Sequence, residues 1–155
     1  MKKTTITFLI SGLLVVTGLK AQTMQEGINH LHADRFKSAI AVFEKLLAVN
    51  PNNMEATYWL GQTYFDDDKN AMARQLYDKA LSTNGNAPLV LVGLGHADLL
   101  DNKAADARQR FEAALTASRT KKGDDPNVLH AIGRANVDAK AGDLAYAIEN
   151  WKLLH

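Results

Sequence analysis

Apolar and small side chains fall three and four positions apart in two adjacent windows of the chain. Between Asn53 and Asp67 they are Ala56, Leu60, Gly61, Tyr64 and Phe65; between Asn70 and Thr83 they are Ala73, Leu76, Tyr77, Ala80 and Leu81. That spacing puts them on one face of a helix in each window. The polar break from Asp66 to Asn70 is short, so the two helices must fold back as an antiparallel hairpin. Gly61, Ala73 and Ala80 are small enough to let the two backbones approach, and Tyr77 fills the wider space beyond.

The hairpin recurs. Gly27, Gly61 and Gly95 are spaced by 34 residues, and so are Ala39, Ala73 and Ala107, then Phe43, Tyr77 and Phe111, then Leu46, Ala80 and Ala114. A fourth copy carries Gly133, Ala147 and Trp151, displaced by four extra residues before it and two within it, which are expected to lengthen its first helix. A fixed period of this length marks a solenoid, in which each unit buries its apolar face only against its neighbours. The pattern predicts an all-α fold, an α-α superhelix of about four helix-turn-helix repeats across residues 22–155, at about 22–53, 54–87, 88–121 and 126–155.

These columns resemble the tetratricopeptide repeat family, whose 34-residue unit follows a W-x2-L-G-x2-Y, A-x3-F, P pattern. The second copy has Leu60-Gly61-x2-Tyr64, Ala73-x3-Tyr77 and Ala80; the third has Leu91-x2-Leu94-Gly95, Ala107-x3-Phe111 and Ala114. The first keeps Ala39-x3-Phe43 and Pro51 but has Glu26 where leucine is expected and His30 in place of tyrosine, so its first helix is expected to be the weakest of the array. The fourth has Leu129-x2-Ile132-Gly133 and Ala147-x3-Trp151. The resemblance implies a protein or peptide partner held on the concave surface of the first helices. The positions that match that surface are Met24 and Ile28, then Tyr58, Gln62 and Phe65, then Val92, His96 and Leu99, and finally His130 and Arg134. Apolar anchors on a partner segment suit such a lining. The lysine and asparagine that clamp a carboxylate terminus in some family members are absent: Met24, Ile28, Trp59 and Gly93 stand in the corresponding places.

Residues 1–21 belong to a different pattern. Lys2 and Lys3 precede an apolar run from Ile6 to Leu19, which ends at Lys20-Ala21-Gln22. This is the order of a bacterial secretory signal peptide cleaved after Ala21, and it implies a periplasmic or secreted protein with no membrane insertion after cleavage. The run is also shorter than the roughly 20 residues that cross a bilayer. Its removal changes the charge. The whole chain has 18 basic and 17 acidic residues; without Lys2, Lys3 and Lys20 there are 15 basic residues against the same 17 acidic ones. A mildly acidic mature chain has no field to collect nucleic acid.

Chemistry is sparse. With no cysteine, thiolate metal sites, thiol nucleophiles and disulfides are excluded together. His30 and His32 are two apart and point to different helix faces, while His96 and His130 sit on first helices of neighbouring repeats; two imidazoles do not complete a metal site, and they read as polar groove lining. The aspartates at 66–68 and 124–125 lack the alternating spacing of a calcium loop. No serine lies in a Gly-x-Ser-x-Gly context, and Gly93-x-Gly95 has no third glycine or preceding strand. The expectation is a scaffold without catalysis, metal or cofactor. Trp151, Leu153 and Leu154 lie near His155, so this end is expected either to continue into a longer protein or to pair with a partner or a second copy. The alternative reading is therefore the N-terminal recognition region of a longer exported enzyme or cell-envelope assembly factor.

Overall fold

A computed structural model of the chain describes residues 23–153. The proposed signal peptide lies outside the described residues, as do Leu154 and His155. Eight helices are present among the described residues: α1 (23–32), α2 (Phe36–Val49), α3 (Met54–Asp66), α4 (Asn70–Thr83), α5 (Pro88–Leu100), α6 (Ala104–Ser118), α7 (Pro126–Asp138) and α8 (Leu144–Lys152). They pair as hairpins, and α5 packs between α3 and α7, so the first helices of successive repeats form one inner layer. The fold is an all-helical tetratricopeptide-type α-α superhelix.

The glycine and aromatic columns explain the close packing of each hairpin. A Cβ at Gly27 would run into the ring of Phe43, one at Gly61 into Tyr77, one at Gly95 into Phe111 and one at Gly133 into Trp151. Tyr77 is held from both sides, because a Cβ at Gly93 on the next repeat would also meet its ring. Phe43, Tyr77 and Phe111 are fully buried as a result. Two apolar clusters follow from these anchors, one around Phe43, Tyr77 and Leu94, the other around Phe111, Leu129 and Ile132, with Trp59, Leu81 and Leu100 packed against both.

The turns inside the first three hairpins repeat as strictly as the cores. Asp34, Asp68 and Asn102, again 34 apart, have φ of 54°, 55° and 59°. That left-handed conformation favours Gly, Asn and Asp. Each following N–H reaches back over the helix end, from Arg35 to the His30 carbonyl (2.9 Å), Lys69 to Tyr64 (2.7 Å) and Lys103 to Asp98 (2.8 Å). Satisfying the terminal carbonyls in this way stops the helix and reverses the chain.

In the fourth hairpin the two extra residues do not lengthen the first helix. α3, α5 and α7 each have 13 residues, and the addition lies in the turn between α7 and α8. Asn136, buried on α7, accepts from the Asp143 N–H at 2.9 Å, and the Asp143 side chain accepts from the Tyr146 N–H to cap α8. Side chains thus hold the longer turn and cap the start of α8, where the other hairpins use a left-handed residue after the first helix.

Polar links tie successive repeats. Asp98 of α5, almost wholly buried, receives Arg74 of α4 at 2.9 Å and Arg110 of α6 at 2.6 Å. Tyr146 of α8 donates to Glu112 of α6 at 3.0 Å, and the Arg108 guanidinium lies 3.5 Å from its ring centroid. Burial and the Glu112 carboxylate push the Tyr146 hydroxyl up to about 12.

Candidate functional site

The inner layer of α3, α5 and α7 has two ends with different character. Towards the helix C-termini, a buried polar chain runs through the layer. His96 Nδ1 lies 3.2 Å from Gln62 Oε1, Gln62 Nε2 donates to Tyr77 Oη at 3.1 Å, and Tyr77 Oη donates to the Tyr58 carbonyl at 2.7 Å. With the His96 proton on Nδ1, each of these three contacts pairs one donor with one acceptor. Burial, helped by the nearby Arg134 charge and opposed by Asp138, moves His96 from its ordinary 6.5 to about 4, so it is neutral at pH 7. The Tyr77 hydroxyl is pushed far up by burial.

Arg134 of α7 closes this end. Its guanidinium reaches Asp66 of α3 at 3.2 Å and Asp138 on its own helix at 3.1 Å. The first of these pairs crosses from the fourth repeat to the second and bypasses the third. Burial raises the Asp66 carboxyl above its ordinary range, and Arg134 opposes that rise.

Towards the helix N-termini the layer opens into a cavity of about 350 Å³. Met54, Tyr58 and Trp59 of α3 form one wall, Pro88 and Leu89 of α5 the floor, and Val128, His130, Ala131 and Arg134 of α7 the other wall. Arg134 lies 5.5 Å from the Trp59 ring centroid and separates the open end from the closed one. Glu55 and Asp125 stand at the mouth.

Of the residues assigned to the concave surface from sequence, Tyr58, His130 and Arg134 line this cavity. Gln62 and His96 lie in the buried polar chain. Phe65 is buried with its ring 4.7 Å from that of His96 and 6.0 Å from that of Tyr77. Val92 and Leu99 are buried, Val92 completely. Met24 and Ile28 are half-buried against the cluster around Phe43. The two first-helix histidines are therefore not a pair, since His96 is buried and His130 is exposed on the cavity wall. Among the described residues no group of three or more His, Asp or Glu is placed to hold a metal ion.

Met54, Trp59 and Leu89 are cavity residues that the repeat pattern does not single out. Trp59 carried a signal all the same: the residue 34 positions later is Gly93, so a large ring occupies in one repeat the place that is empty in the next. The rings of Tyr58 and His32 stand edge-on to it, at centroid distances of 5.3 and 6.4 Å.

No curated protein matches the chain. Residues 24–88, spanning the first two hairpins, match the family model of the tetratricopeptide repeat. The same glycine–aromatic hairpin continues through α5 to α8, so the tetratricopeptide-type repeat architecture extends beyond the matched residues.

Proposed function

We propose that this chain is an exported, non-catalytic scaffold that holds a segment of a partner protein in the cavity on its concave face. Tetratricopeptide repeats are protein-interaction scaffolds. The observation that carries the reading is the open end of the inner layer: apolar and aromatic walls from three repeats meet there around a space the size of one or two side chains. Export rests on the charged, apolar and small-residue order of positions 1–21. No described helix is long and apolar enough to cross a membrane.

A photo-crosslinking residue in place of the exposed His130, compared with one at the exposed Ala113 on α6, tests the binding site. Partner peptides captured at position 130 and not at 113 support the cavity; equal capture at both, or none at either, sinks it. Fractionation and N-terminal sequencing test export, with Gln22 the expected first residue of the mature form. The alternative, in which the array is the recognition region of a larger exported protein or self-associates through its last helix, is favoured by Val137, Leu144 and Ile148, all at least half exposed. Dimer formation lost on Ile148→Lys in sedimentation velocity is the outcome expected of self-association.

A further inference from the structure

We infer that the side chain entering the cavity is basic, a lysine or arginine of the partner segment, with its aliphatic stem on Trp59 and Leu89 and its charge at the Glu55 and Asp125 mouth. This rests on the binding site proposed above and names what it selects. The apolar wall alone would accept any large side chain, so the selection comes from charge. Glu55 is exposed and has no ion-pair partner among the described residues, and Asp125 adds a second carboxylate at the same mouth. The one guanidinium in the lining, Arg134, is already matched by Asp66 and Asp138. The fixed charge facing an incoming group is therefore negative.

Three helices start at this mouth, and helix N-termini ordinarily favour anions through their free N–H groups. Here one of those donors is taken on each of α3 and α7, and α5 and α7 lack another. The Asn53 side chain accepts from the Ala56 N–H at 3.0 Å, and Asp125 accepts from the Asn127 N–H at 2.8 Å. Pro88 and Pro126 begin α5 and α7 without an N–H at all. A carboxylate or phosphate would thus meet two acidic side chains and a reduced set of donors. A long basic side chain satisfies both surfaces, because its stem is apolar and its head is charged.

The test is selection from a random dodecapeptide display library on the full chain, followed by titration of the chosen peptides while the Trp59 indole resonance is followed. With only two tryptophans, Trp59 and Trp151, that signal is easily assigned. The expected result is peptides with Lys or Arg beside an apolar residue that shift Trp59, and about tenfold weaker binding to Glu55→Arg. That variant should in turn accept peptides in which the basic residue is replaced by Glu. Peptides that shift Trp59 but carry no basic residue, or an acidic one, overturn this inference and leave the binding site standing. If no selected peptide shifts Trp59, the binding site fails and the inference fails with it.

Discussion

The second and fourth hairpins are built on the same plan and end up differently buried. In the second, Tyr77 is clamped between Gly61 of its own repeat and Gly93 of the next, and is fully buried. In the fourth, Trp151 covers Gly133 and remains 37% exposed. The first helices repeat the contrast. Phe65, Leu99 and Val137 occupy equivalent places on α3, α5 and α7, yet the first two are 7% and 3% exposed and Val137 is 51% exposed. Position in the array, more than residue type, decides burial: the same column is core where another repeat packs over it and surface where none does.

The most damaging way to probe this difference is to empty the clamp. Tyr77→Ala should cost about 3–5 kcal/mol of stability, the range for truncating a buried aromatic, while Trp151→Ala should cost no more than about half as much. Chemical denaturation of both variants decides it, and equal losses would mean that the two hairpins are equally packed after all.

A second contrast lies in the column Gln62, His96 and Arg134, where the inner repeats bury neutral polar groups and the fourth presents a charge. Because His96 stays neutral down to about 4 in the folded chain but takes up a proton near its ordinary 6.5 when unfolded, the unfolded state binds more protons between those values. Stability should therefore fall as pH drops from about 6.5 towards 4, by roughly 3 kcal/mol in total from this group. His96→Gln should flatten that part of the profile, measured by denaturation across the pH range, and an unchanged slope would remove His96 as its source.

Smaller again is the turn. Asp68 holds the left-handed position that the fourth hairpin lacks, so Asp68→Ala should cost about 1 kcal/mol, whereas Lys140→Ala in the longer turn should change stability by less than about 0.5 kcal/mol. Arg134→Ala should be no more costly than Asp68→Ala. Its ion pairs are partly exposed, and their loss should lower the melting point by no more than about 1 kcal/mol of stability allows.

Most of the fold was legible because one period phases several residue types at once. A glycine needs an aromatic to cover it, sixteen positions later in the first three repeats and eighteen in the fourth, and that coupling shows in the letters of the chain. Asp34, Asp68 and Asn102 form an equally regular column that marks the turns, visible once acidic and amide residues are counted as one class. The site was less legible. Register alone placed Tyr58, His130 and Arg134 on the inner face, but whether such a residue is open or buried depends on how far the superhelix brings α3 towards α7. Val92 shares a column with Tyr58 and His130 and is wholly buried, because the middle helix of three is packed from both sides.

The contact between Arg134 and Asp66 has a mechanical meaning beyond its small energy. It ties the second repeat to the fourth across the one between them, and so acts as a strut on the curvature of the array. Ionic strength weakens such a strut while leaving every hairpin intact. The width of the groove is then expected to respond to salt, and small-angle scattering should see the superhelix relax as the strut loosens.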